Sequence, residues 1–75
     1  MVNHKLVEVI SSILEIPPET VNEKLSVDTC PSWDSMNHMN LILALEEVYG
    51  VKIPDEIALE LLSFENIEDY ISTHN

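Results

Sequence analysis

Along the first part of the chain, Leu6, Ile10, Ile13 and Leu14 recur at three- and four-residue spacing and fall on one helical face. Asn3 is placed to cap this helix, and Pro17 with Pro18 stops it, which predicts a helix over about residues 4–15. The pattern then breaks. Residues 16–34 hold three of the four prolines together with Asp28, Thr29 and Ser32, and read as a long irregular connection. A loop of that length inside a compact domain is more often functional than idle. Val21 and Leu25, four apart, predict a short turn that pins the loop to the core.

Residues 35–49 are the most helix-prone stretch, rich in Met, Leu, Ala and Glu, and Gly50 stands where a helix C-terminus needs it. Two apolar stripes separate on this central helix. Leu41, Ile42, Leu45, Val48 and Tyr49 make a broad face suited to a core, whereas Met36, Met39 and Leu43 make a narrower line flanked at its far end by Glu46 and Glu47. A small bundle buries one face of each helix but not usually two. After a return through Val51, Lys52, Ile53 and Pro54, the acids Asp55 and Glu56 favour the start of a short third helix that runs through Leu61 or Leu62. Ser63 then caps a last helix whose buried face is Phe64, Ile67, Tyr70 and Ile71. Short connections after Gly50 and around Ser63 put neighbouring helices side by side. The fold predicted is all-α, a small four-helix bundle with a long first loop and a short third helix, in one domain over residues 1–75.

Composition narrows what such a bundle does. At 75 residues, a chain buries only roughly 60% of the surface it exposes when unfolded, which leaves little interior for a catalytic cleft. Three Lys and no Arg against fourteen acids give a formal charge of −11, which repels phosphate backbones and anionic lipid heads. Nucleic acid and membrane surfaces are poor partners for it, and a protein with a basic patch is a good one. The acids are unevenly spread: residues 1–25 carry two Lys and four Glu, 26–50 four acids and no base, and 51–75 one Lys and six acids. Cys30 has no second cysteine to pair with, no stretch reaches the length of a membrane span, and no basic and apolar leader opens the chain, so the expected compartment is the cytoplasm.

Ser35 is the residue to weigh for chemistry. It opens the central helix directly after the long loop, behind Trp33 and Asp34. Unpaired backbone N–H groups and the positive end of the helix dipole stabilise a phosphate ester at such a position. For the dipeptide alone, an ordinary N-cap role for Ser35 or Asp34 is much the commoner reading, so the dipeptide by itself decides nothing.

The wider context resembles a known family. From Trp33 the chain reads WDSMNHMNLILALEEVYGVKIPDE, which is similar to the acyl carrier proteins in Asp34-Ser35-Met36, Leu45-Glu46-Glu47, Tyr49-Gly50 and Ile53-Pro54-Asp55-Glu56. The last segment, 64–71 with Asp69-Tyr70-Ile71, matches as well, so the resemblance covers essentially the whole chain. It implies that Ser35 accepts 4′-phosphopantetheine from coenzyme A through a Mg²⁺-dependent phosphopantetheinyl transferase. The thiol of that arm, not Cys30, then holds an acyl group as a thioester. Asp34 matches the acid that helps the transferase recognise its target. Met36, Met39, Leu43, Glu46, Glu47 and Glu56 fall where such carriers dock the basic patches of acyl-loading ligases, synthases and acyltransferases. Leu45, Ile53, Ala58, Leu61 and Ile67 would border the space where some carriers shelter an acyl chain. The resemblance implies a carrier with no catalysis of its own, working as a monomer.

Two departures stand out. Asn37, His38 and Asn40 are neutral where fatty-acid carriers often place acids, and Trp33 with Met36 looks more like a stand-alone carrier of a specialised pathway. An aminoacyl or peptidyl carrier using the same arm, or an unmodified acidic helical adaptor, remain as alternatives. Other chemistry finds little support. Cys30 and His38 lack the oriented base and larger scaffold of a thiol enzyme, and Ser35 lacks a G-x-S-x-G elbow. His4, His38 and His74 show no zinc spacing and are expected in solvent, and no EF-hand loop is present, so no metal site is predicted. The remaining acids read as solvated helix faces.

Overall fold

The computed structural model describes residues 4–74. Helix α1 (His4–Leu14) lies against the long helix α2 (Ser35–Tyr49), and two further helices follow, α3 (Asp55–Ala58) and α4 (Phe64–His74). The predicted cap Asn3 lies outside the described residues. Fifteen residues at the helical rise make α2 about 22 Å long, the longest of the four helices, with α1 packed against it.

Local sequence chemistry sets the ends of these helices. Helix α1 stops in a Schellman-type turn: Glu15 adopts φ 55° and the Ile16 N–H donates to the Ser11 carbonyl at 3.1 Å. The left-handed position that usually takes Gly is here held by Glu. Helix α2 is capped by Asp34, whose Oδ1 accepts from the Asn37 N–H at 2.9 Å, and ends on Gly50 with φ 65°. Ser63 caps α4 as expected, its hydroxyl oxygen accepting from the Asn66 N–H at 3.2 Å.

One contiguous core joins all four helices and the loop: Leu6, Ile10 and Leu14 from α1, Leu41 and Leu45 from α2, Phe64 and Ile67 from α4. Val21 and Leu25 are both buried and pin the loop as predicted, and a 3₁₀ turn over Pro18–Thr20 precedes them. A two-bond bridge fastens the loop further on: Val27 N–H donates to the Leu62 carbonyl at 3.0 Å and Phe64 N–H to the Leu25 carbonyl at 2.9 Å.

Helix α3 ends at Ala58 rather than at Leu61 or Leu62: the chain leaves it through a turn, with the Glu60 N–H donating to the Ile57 carbonyl and the Leu61 N–H to the Ala58 carbonyl, before it reaches the bridge to residues 25–27. Three side chains also differ from the predicted pattern. Val48 is exposed, since Tyr49, its ring under the Lys5 ammonium at 5.2 Å, takes the inward position of the last turn. Tyr70 is only half-buried and donates its hydroxyl to the Lys52 carbonyl at 2.8 Å. His38 is not solvated but half-buried and hydrogen-bonded through both ring nitrogens. His4 is exposed, and the side chain of His74 lies outside what is described.

Candidate functional site

The loop delivers Ser35 to the start of α2 through contacts made by the helix's own first turn. Asn37 Nδ2 donates to the Ser32 carbonyl at 2.7 Å, and the His38 N–H closes the first helical bond onto the Asp34 carbonyl at 2.8 Å. Trp33, 4% exposed, buries its ring and donates its indole N–H to His38 Nδ1 at 3.0 Å, which meets the need of a buried indole for a partner. Asp34 rather than Ser35 supplies the N-cap, so the sequence ambiguity between the two is resolved in favour of the acid. Ser35 is exposed, at the first helical position, amid N–H groups that have no partner within the helix.

Ser35 opens onto a groove of about 470 Å³. Its walls are apolar, formed by Val27 from the loop, Met39 from α2, and Leu59 and Leu62 from the segment after α3, with Trp33 and His38 at its inner side. Leu59 is 72% exposed and Leu62 41%, which makes them unpartnered apolar surface beside the serine. Sequence reasoning did not bring Leu59 and Leu62 beside the serine, and it put His38 in solvent. The only available signal was the i, i+5 pairing of a Trp with a His, because the approach of residues 59–62 depends on the long-range bridge to the loop.

The predicted docking residues sort into two groups. Met36, Met39 and Leu43 are exposed by 75%, 56% and 59%, so the second stripe of α2 has no core to cover it. Glu47 and Glu56 are exposed as well. Glu46 is different: half-buried, its Oε2 accepts from the Ile53 N–H at 2.8 Å and holds the α2–α3 connection. Leu45, Ile53, Ala58, Leu61 and Ile67 all lie in the buried core, and none of them lines the groove at Ser35. Cys30 is buried in the loop, with its sulfur 3.3 Å from the Ser32 hydroxyl. Among the described residues no group of His, Cys, Asp and Glu is arranged to hold a metal ion.

Comparison with known proteins fits this arrangement. Residues 4–71 match the family model described as phosphopantetheine attachment site. The chain is similar to the acyl carrier protein of Thermosynechococcus vestitus, 35% identical over 68 residues that cover 91% of this chain and 84% of that protein. It is also similar to the acyl carrier protein of Syntrophobacter fumaroxidans, 32% identical with 91% of this chain and 84% of the relative covered. The mitochondrial acyl carrier protein of Saccharomyces cerevisiae is 31% identical, the match covering 97% of this chain and 62% of that protein.

Proposed function

The chain belongs to the acyl carrier protein family, and on that premise we propose that Ser35 is the residue that carries its 4′-phosphopantetheine arm. The protein is a carrier rather than an enzyme, its cofactor is 4′-phosphopantetheine, and it serves a phosphopantetheinyl transferase and acyl-handling enzymes. The arm supplies a terminal thiol that holds the acyl group as a thioester.

The observation that carries the Ser35 assignment is the division of labour at the start of α2. Asp34 takes the capping hydrogen bond, which leaves the adjacent hydroxyl exposed at a helix N-terminus and facing an apolar groove. The site fits the group on both counts: first-turn N–H groups suit the phosphodiester, and apolar walls beside it suit the methylene-rich arm. In the loading step the Ser35 hydroxyl oxygen forms a bond to the phosphorus of coenzyme A that carries the pantetheine. The pyrophosphate link breaks, the adenosine bisphosphate half leaves, and the hydroxyl proton passes to a base of the transferase. On this reading the transferase recognises Asp34, which is exposed next to the hydroxyl.

The docking face is the exposed line Met36, Met39 and Leu43 with Glu47 and Glu56, and its occupants are enzymes with basic patches. A formal charge of −11, dense after Glu46, supports that choice through long-range steering and orientation. On this reading the carrier acts as a single unit and a monomer in the cytoplasm. The neutral Asn37, His38 and Asn40 beside Ser35 favour a stand-alone carrier of a specialised pathway.

The test is incubation with coenzyme A and a broad-specificity transferase, read by mass spectrometry. One phosphopantetheine is expected on the wild type and none on Ser35→Ala. No added mass, or equal addition to the variant, refutes the assignment.

A further inference from the structure

Directly behind Ser35, one side chain closes the seam between α2 and α3. His38 Nδ1 lies 3.0 Å from the Trp33 indole nitrogen, and His38 Nε2 lies 2.7 Å from the Ala58 carbonyl oxygen. An indole N–H only donates and a carbonyl only accepts, so the two contacts together specify the neutral tautomer with its hydrogen on Nε2. His38 therefore accepts from Trp33 and donates to Ala58, tying the first turn of α2 to the end of α3. The same carbonyl also accepts from the Leu61 N–H at 3.2 Å, so the bond from α2 lands on the turn that separates the buried Ala58 and Leu61 from the exposed Leu59 and Leu62.

A flexible apolar chain tethered at Ser35 has two destinations. One is the core behind this seam, where Leu45 and Ile67 have no exposed surface and Ile53 has 5%. The other is the groove in front, bounded by Val27, Met39, Leu59 and Leu62. Reaching the core by the seam requires α2 and α3 to part, which breaks the His38–Ala58 bond and leaves the half-buried imidazole N–H without its acceptor. A poorly solvated N–H left without a partner is unfavourable. Entering the groove breaks no bond and covers apolar surface that is otherwise wet.

We propose that His38 is a positioning residue that latches the α2–α3 seam and directs the acyl cargo tethered at Ser35 into the outer groove rather than into the core. This inference rests on the carrier assignment of Ser35. It adds to it that the cargo is held on the outside, where a partner enzyme collects it without prising the helices apart.

Methyl NMR of the holo protein with and without an octanoyl cargo tests this. In the wild type, the cargo is expected to shift the methyl signals of Val27, Met39, Leu59 and Leu62 and to leave those of Leu45, Ile53 and Ile67 in place. In His38→Ala, whose seam is unlatched, the shifts are expected to move to the core methyls. A carboxamide both donates and accepts, so His38→Gln is expected to restore the wild-type pattern, an outcome that mere space-filling does not produce. Should His38→Ala not fold, His38→Leu fills the ring's volume without either bond and is expected to show the core pattern. Core shifts in the octanoylated wild type, or the same groove pattern in every folded variant, overturn the latch while leaving the carrier assignment intact. Absence of phosphopantetheine on Ser35 in the mass spectrum overturns both.

Discussion

Two adjacent glutamates on α2 make a sharp test of how this small fold is held together. Glu46 Oε2 accepts from the Ile53 N–H at 2.8 Å, and Ile53 is 5% exposed, so this backbone donor has a charged partner in a place water reaches poorly. Glu47, one residue on, is exposed. Removing the Glu46 carboxylate by Glu46→Ala deletes a charge-assisted hydrogen bond and leaves the part-buried Ile53 N–H without its partner, a loss of about 2 kcal/mol. The substitution also removes one negative charge from a chain at −11, which acts in the opposite direction by easing self-repulsion. Glu47→Ala removes the same charge without the hydrogen bond and so measures that relief alone, expected to stay within about 0.5 kcal/mol. Glu46→Gln keeps an acceptor but not its charge, and is expected to fall between, at about 1 kcal/mol. Urea unfolding followed by circular dichroism reads all three, with unchanged slopes as the sign of an intact two-state transition. In a thermal scan the Glu46→Ala deficit corresponds to a Tm lower by roughly 10 °C for a domain this size. Equal stability of Glu46→Ala and Glu47→Ala would refute the structural role and return Glu46 to the docking face.

Two further outcomes follow from other parts of the molecule. Met39→Ala and Glu47→Lys are each expected to slow loading by the transferase or an acyl-loading enzyme while stability stays within about 0.5 kcal/mol, as exposed positions allow; loss of helicity in both would show that the exposed stripe is structural. Glu15→Gly relieves a non-Gly residue at φ 55°, worth about 1 kcal/mol, against the added freedom of Gly in the unfolded chain, so a net gain of about 0.5 kcal/mol is expected in urea unfolding; a lower midpoint would refute the strain argument.

The helices were legible in the sequence because their signals are local. Asp34, Gly50 and Ser63 mark helix ends through short-range capping and left-handed backbone, and the α2 boundaries at Ser35 and Tyr49 follow directly. Ser35 and the exposed Met36, Met39 and Leu43 were legible too, the last three because a small bundle has no second core to bury them. What escaped was decided by partners distant in sequence. The bridge from residues 25–27 to residues 62–64 brings the segment after α3 beside the loop, so that Val27, Leu59 and Leu62 line one groove, and nothing in the spacing of either segment announces the other. His38 was misplaced for the same reason: its acceptor Ala58 belongs to another helix, and only its bond to Trp33 is local. Glu46 looked like its neighbour because charge patterning does not tell a solvated acid from one that caps a loop amide.

The bridge between the loop and the start of α4 also bears on when the protein becomes competent during folding. Helix α2 is built from local contacts and can form early, with Ser35 already at its tip. The groove beside that serine draws Val27 from the loop and Leu59 and Leu62 from beyond α3, stretches that meet only when the chain has closed a long loop. A nascent chain thus displays Ser35 before it displays the groove, so the groove marks completion of the fold in a way that the serine does not.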